Sequence, residues 1–361
     1  MKATQKLHDA GQSLWLDNIT RDLLTTGSLK RYIDELSVTG LTSNPTIFDH
    51  AIKNSASYDG AIRERMKAGK SGESLFFEIA LQDLMQAADL FRPIHERTSG
   101  VDGWVSLEVS PALAHDTKTT LGEAKELHRR AARPNLFIKI PGTKEGLPAI
   151  EEAIYAGVPI NVTLLFSREQ YLAAAEAYLR GVERRIAAGL NPNVASVASL
   201  FISRWDVAVA AKVPASLANT LGIAIGKRTY QAYVSLIATP RWQRAYNAGA
   251  RPQRLLFAST GTKDPKASDI LYVKGLVAPL TVNTMPEATL KQFADHGEVG
   301  APIDPDGGDC EAVIARHAQA GIDVDALATQ LQDEGAKAFV SSWNELMNVI
   351  ASKSAVIATA V

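Results

Sequence analysis

Eight short apolar or β-rich runs recur along this chain with helix-like stretches between most of them, and that alternation limits the fold more than any single motif does. The runs are SLWLDNI, VTGLTSNPTIF, GWVSLEVSP, NLFIKIPG, VPINVTLLFS, NVASVASLFIS, RLLFAST and PLTVNTMP. Strands alternating with helices predict a parallel sheet. About eight of them, with no GxGxxG after the first and no P-loop motif, predict a closed (β/α)8 TIM barrel over a dinucleotide-binding or nucleotide-phosphate fold. The clearest helix is SREQYLAAAEAYLRGVERRIAAG. There Ser167 and Gln170 make a capping-box pattern, and Tyr171, Leu172, Ala175, Tyr178, Leu179, Val182 and Ile186 share a face. A second, GEAKELHRRAARP, ends in a basic turn before Pro134, as a helix C-terminus should. The connections after TSNPTIF and ASLFIS are long enough for extra helices. With no linker-like stretch or internal repeat, residues 1–361 are expected to form one barrel domain, with 309–361 as a helical C-terminal extension packed on it.

Charge and composition narrow the function. The 361 residues carry a formal charge of −1 with no basic run, so nucleic acid and membrane surfaces get no electrostatic support and small solutes are the expected partners. The single cysteine, Cys310, rules out an internal disulfide framework and reads as a buried small hydrophobe. The opening MKATQKLHDAGQ lacks the apolar core of a signal peptide, and no apolar run reaches the roughly 20 residues of a membrane span. A cytoplasmic location is expected. Whether the chain is a monomer or a homodimer stays open at this level.

Active sites of such barrels sit at the C-terminal ends of the strands, so polar residues should collect there. They do. Asp17 closes the first run, Asn44 follows the second, Glu108 ends the third and Lys139 the fourth. Asn161 and Thr163 mark the fifth, Ser199 the sixth and Ser259 the seventh. Residues two apart on a strand share a face, which pairs Ser106 with Glu108 and Asn161 with Thr163. Singly, Asp17 reads as well as a cap, Asn44 before Pro45 as turn chemistry, and Ser199 and Thr163 as ordinary hydroxyls. Glu108 has a structural ion pair with Lys139 as its alternative.

Lys139 stands between two isoleucines, where an ammonium is costly to bury unless it is paired or neutralised. A neutral amine can attack a sugar carbonyl to form a Schiff base, and removal from water favours the neutral form. Imine formation and carbon–carbon cleavage then need proton transfers, a task for two separate carboxylates such as Asp17 and Glu108. Metal-assisted aldol chemistry is disfavoured, because the seven histidines are scattered with no HxH or HExxH pair.

The segments LWLDNI, GLTSNPTIF, VSLEVSP, LFIKIPGTKEGLPAIE, GVPINVTLLFSREQY, ASVASLFISRWD, FASTGTKDP and VNTMP closely resemble the transaldolase family over nearly the whole chain, in a longer form similar to one bacterial subgroup. The resemblance implies a cofactor-free, metal-free enzyme of the non-oxidative pentose phosphate pathway. It would move a dihydroxyacetone unit from sedoheptulose 7-phosphate or fructose 6-phosphate to glyceraldehyde 3-phosphate or erythrose 4-phosphate. It makes Lys139 the Schiff-base lysine and Asp17 the acid/base for the C4 hydroxyl. Glu108 with Thr163 handles the water of imine chemistry, and Asn44, Asn161 and Ser199 bind hydroxyls. Arg204 and Ser259 become phosphate contacts. Better-known members carry a further arginine after that serine, where this chain reads STGTKDP, so Lys263 and the glycine-bearing turn are the expected substitutes.

Two alternatives stay open. Fructose-6-phosphate aldolases share the barrel and the lysine but release free dihydroxyacetone; that group has Gln where this chain has Glu108 and Tyr where it has Phe201, and both positions favour transfer. A non-catalytic barrel could bind sugar phosphates through Arg204 and Lys263, but it would leave the buried lysine and both carboxylates unexplained.

Overall fold

The computed structural model describes residues 1–359. Its eight strands are β1 (Gln12–Asp17), β2 (Val38–Thr42), β3 (Trp104–Glu108), β4 (Leu136–Pro141), β5 (Ile160–Leu165), β6 (Ser196–Phe201), β7 (Arg254–Ala258) and β8 (Thr281–Met285). All neighbours pair in parallel in chain order, and β8 closes on β1, so the sheet is a (β/α)8 barrel. Nearly every strand residue is buried. Helices cover the outer face and side chains fill the inner one, which explains why the runs read as continuously apolar. Gly40 is required where it stands: a Cβ there would lie 2.7 Å from the Trp15 ring and from the Trp104 carbonyl oxygen. Trp104 stacks on Phe137 at 4.1 Å between ring centroids and fills the same end of the barrel.

Register positions the chemistry. Glu108 lies opposite Lys139, and Lys139 opposite Asn161, so three polar residues of adjacent strands form one row. β4 continues past Lys139 through Ile140 to Pro141, two residues beyond the end read from sequence. The second run divides differently from its sequence reading as well. It is strand only to Thr42, and Pro45 opens the helix Pro45–Asn54 at its first position, where a missing N–H is harmless.

The long connections hold extra helices as expected: Pro45–Asn54, Asp59–Lys67 and Gly72–Arg97 before β3, and Ser203–Val209, Leu221–Ile237 and Pro240–Asn247 before β7. The Ser167/Gln170 capping box forms at the head of helix Arg168–Ala187. On that helix Leu172 is exposed, contrary to its assigned face, and Ala174, Ala177 and Gly181 join Tyr171, Tyr178 and Val182 on the buried side. Gly181 sits there because Glu151 and Ile154 of the neighbouring helix approach within 2.8 Å of where its Cβ would be.

Beyond β8 the chain forms helices Glu287–His296, Cys310–Gln319 and Val324–Thr359. Of the extension read as 309–361, positions 360 and 361 lie outside the described residues. Cys310 is buried, and burial raises its thiol pKa. The terminal helix packs across Pro45–Asn54, Asp59–Lys67 and Gly72–Arg97. Trp343 enters an aromatic cluster with Phe76 and Phe77, Ser342 accepts from Thr46 at 2.8 Å, and Lys353 pairs with Asp59 at 2.9 Å. Among the described residues no helix is long and apolar enough to cross a membrane.

Candidate active site

A cavity of about 640 Å³ opens at the C-terminal ends of the strands. Asp17, Asn44, Lys139, Ser199, Phe201, Arg204, Ser259 and Lys263 line it, together with Thr42, Gly261, Thr284 and Phe339. The sequence-predicted residues from the strands and their following loops therefore converge. Ser106, Glu108, Asn161 and Thr163 are buried behind this wall.

Lys139 and Glu108 are both almost sealed from solvent, with side-chain exposures of 6% and 4%. Their closest approach, Nζ to Oε2, is 3.6 Å, which is an ion pair without a hydrogen bond. The ammonium instead donates to the Ser43 carbonyl at 3.1 Å. Neither Glu108 oxygen has a hydrogen-bond partner, and Thr163 Oγ1 has none. A structural ion pair in a dry interior depends on additional hydrogen bonds to offset desolvation, so this loose contact is a poor candidate for one. Burial pushes the Glu108 carboxyl up to about 7, against the lowering effect of Lys139 and with the charge of Asp17 adding to the rise. A carboxyl poised there exchanges protons readily at neutral pH.

Asp17, at the end of β1, is half-buried. Thr42, directly opposite on β2, donates to its Oδ1 at 2.7 Å and meets Thr284 of β8 at 2.7 Å. Burial raises the Asp17 pKa, while Lys139, the Thr42 hydrogen bond and Lys263 pull it down. Behind the wall runs a chain of neutral polar groups. Ser199 Oγ donates to Asn161 Oδ1 at 2.7 Å, and Asn161 Nδ2 donates to Ser106 Oγ at 3.1 Å. This chain holds the Ser199 hydroxyl in one orientation. Asn44 caps a helix, its Oδ1 accepting from Ile47 N–H, and the residue also lines the cavity.

Across the cavity the groups are cationic. Arg204 follows β6, and Ser259 follows β7 in the left-handed region at φ 57°, a conformation that costs a non-glycine residue about 1 kcal/mol and is concentrated at functional sites. The two strand ends are tied together: Ser203 N–H donates to the Ser259 carbonyl at 3.1 Å, and the two hydroxyls meet at 2.9 Å. The Arg204 guanidinium lies 5.0 Å from the Phe201 ring centroid. Among the described residues neither Arg204 nor Lys263 has an acidic partner within 4.0 Å, so two cations and the Gly261 turn line the cavity without a close ion pair.

Phe339, from the terminal helix, was missed in the sequence reading. Its ring sits 5.9 Å from Lys139 Nζ and 6.5 Å from the Phe201 ring. No local motif announces it, because the contact spans 200 residues of sequence. Thr42 and Thr284, which also line the cavity, were missed as well. Among the described residues no group of three His, Cys, Asp or Glu side chains could hold a metal ion.

Fold and site together define a class: a (β/α)8 enzyme whose strand-end cavity gathers a buried amine, two carboxylates and two further cations. The chain belongs to the transaldolase/fructose-6-phosphate aldolase family, whose model matches residues 14–350, and it is an enzyme of the transaldolase type. It is 45% identical to a transaldolase of Parafrankia sp. over 358 residues, covering 97% of each chain. A transaldolase of Thermobifida fusca is 45% identical over 360 residues, covering 97% of this chain and 98% of its own. One named transaldolase 2, from Nostoc sp., is 39% identical over 367 residues and 96% of both chains.

Proposed function

We propose that this chain transfers a dihydroxyacetone unit from fructose 6-phosphate or sedoheptulose 7-phosphate to erythrose 4-phosphate or glyceraldehyde 3-phosphate through a Schiff base on Lys139. The observation that carries the reading is the loose Lys139–Glu108 contact: a buried amine opening on a cavity, beside a carboxyl with no hydrogen bond of its own. Lys139 attacks the ketose carbonyl. Glu108 gives a proton to the departing hydroxyl, with Thr163 Oγ1 holding the water released, and the same groups return it when the imine is hydrolysed. Asp17, with one oxygen fixed by Thr42, takes the C4 hydroxyl proton as the C3–C4 bond breaks. The aldehyde leaves, and the three-carbon enamine remains bound by Asn44, Ser199 and, behind Ser199, Asn161 and Ser106. The phosphate lies on Arg204, Ser259, the Gly261 turn and Lys263, where Lys263 supplies a point charge in place of a second fork-shaped guanidinium.

The iminium is the electron sink, so the cycle needs neither metal nor cofactor. We assign residues 1–361 to one barrel domain carrying the helical extension, and place the enzyme in the cytoplasm, where a free buried thiol such as Cys310 is the ordinary state. Borohydride reduction with fructose 6-phosphate and no acceptor, followed by peptide mapping, tests the reading. A reduced three-carbon adduct on Lys139 supports it. A folded sample that gives no adduct with either ketose phosphate makes Lys139 structural and the chain a sugar-phosphate-binding barrel. Turnover to free dihydroxyacetone faster than transfer makes it a fructose-6-phosphate aldolase.

A further inference from the structure

The terminal helix is fastened to the mouth of the barrel at three consecutive levels. Gln332 Nε2 donates to the Gly142 carbonyl at 3.1 Å and to the Leu164 carbonyl at 2.9 Å, at the ends of β4 and β5. One turn on, Gly335 has no room for a side chain. A Cβ there would lie 2.9 Å from Leu164 and 3.3 Å from an Arg204 guanidinium nitrogen, so the helix backbone lies flush on the strand ends. One further turn on, Phe339 enters the cavity wall, 5% exposed, with its ring toward Lys139 and Phe201. The Thr46–Ser342 hydrogen bond and the aromatic cluster of Trp343, Phe76 and Phe77 hold the next turn.

We infer that Phe339 is a specificity-determining residue that walls solvent from the enamine intermediate, reserving the three-carbon unit for an aldehyde acceptor. The inference rests on the Schiff-base reading above. Between donor and acceptor half-reactions the enzyme holds an enamine on Lys139. If solvent reaches it, a proton adds to the enamine carbon and water hydrolyses the resulting iminium, releasing dihydroxyacetone and regenerating the Lys139 amine. If solvent is kept out, the same carbon attacks the acceptor aldehyde and the unit is transferred. An apolar ring beside the nitrogen opposes the first course by excluding water.

The test compares wild type, Phe339→Ala, Phe339→Leu and Gln332→Leu in two assays: dihydroxyacetone released from fructose 6-phosphate without acceptor, and transfer to erythrose 4-phosphate. Phe339→Ala is expected to raise the ratio of release to transfer about tenfold or more. Phe339→Leu keeps apolar bulk without a π face, so its ratio should rise less than that of Phe339→Ala. Gln332→Leu loosens the helix from β4 and β5 without altering the cavity wall, and should shift the ratio the same way even if Phe339→Ala fails to fold. Ratios within about twofold of wild type in the folded variants overturn the inference. A wild type that traps no borohydride adduct defeats the Schiff-base reading itself, whereas a trapped adduct with unmoved ratios defeats only the role of Phe339.

Discussion

The barrel has a cavity at each end, and the larger one is not the candidate active site. The mouth encloses about 640 Å³, while a space of about 770 Å³ opens at the opposite end, walled by Trp104, Phe137, Tyr233 and Trp242. Both hold a cation and a carboxylate, but in opposite conditions. At the floor, Asp102 accepts from Ser13 Oγ, from Trp15 Nε1 at 2.7 Å and from Gly103 N–H. Arg254 donates to Ser13 Oγ at 2.6 Å and to the carbonyls of Thr281 and Val101. Gln12 Oε1, which lacks a partner there, is neutral. Behind the wall of the mouth, both Glu108 oxygens and Thr163 Oγ1 are unpartnered, and Arg204 and Lys263 line the cavity. Volume therefore does not distinguish the two ends. At the floor the charged groups are saturated by neutral neighbours, with Ser13 bridging Asp102 and Arg254, whereas at the mouth Arg204 and Lys263 have no acidic partner within 4.0 Å among the described residues.

Substitutions can break that contrast. The largest effect is expected from Lys139→Met, which should abolish transfer while leaving the melting temperature unchanged or raised, since a buried charge is removed and Glu108 can take up a proton. A large loss of stability at pH 7 would restore the structural ion pair. Glu108→Gln should lower kcat about 10²- to 10³-fold as measured by steady-state transfer. Its effect on stability depends on pH. The folded carboxyl titrates at about 7, above its ordinary 4.5, so the native state binds the proton more tightly and wild-type stability falls as pH rises between those values. Denaturation across that range should show a flatter profile for the variant, and parallel profiles would count against the raised pKa.

At the floor the pattern should invert. Arg254→Met is expected to reduce stability by about 1–3 kcal/mol in urea titrations, because it leaves buried acceptors unpaired, with kcat and KM unchanged. A fall in kcat would show that the two ends are coupled. Lys263→Met should raise KM for phosphorylated substrates about three- to tenfold with little change in kcat; an unchanged KM would assign the phosphate to Arg204 and backbone alone. The smallest effect is expected from Phe201→Tyr. It places a hydroxyl where fructose-6-phosphate aldolases have one, and should raise acceptor-free cleavage relative to transfer by a few-fold at most, read as the ratio of the two rates.

Most of the barrel was legible because strands buried on both faces leave apolar runs that helices interrupt. The candidate site was legible as a cluster because polar residues such as Asp17, Glu108 and Lys139 stand out at the ends of apolar strand runs. What the sequence concealed was tertiary. Asn44 reads as a cap or a ligand, and only the path of helix Pro45–Asn54 shows that it is both placed as a cap and exposed to the cavity. Leu172 fits a helical face by spacing, but the buried stripe is set by small residues that let the neighbouring helix close in at Gly181. Phe339 looked like one more apolar residue of an amphipathic tail, since nothing local encodes where a terminal helix will lie.

That helix also sets an order of events. Phe339 follows Met285, the end of the last strand, by 54 residues, and a ribosome adding roughly 5–20 residues per second places about 3–11 s between them. During that interval Lys139, both carboxylates, Arg204 and Lys263 are already made, but the wall beside them is not. On the Schiff-base reading, a chain interrupted before Phe339 would therefore present an uncovered amine to every aldehyde in its surroundings.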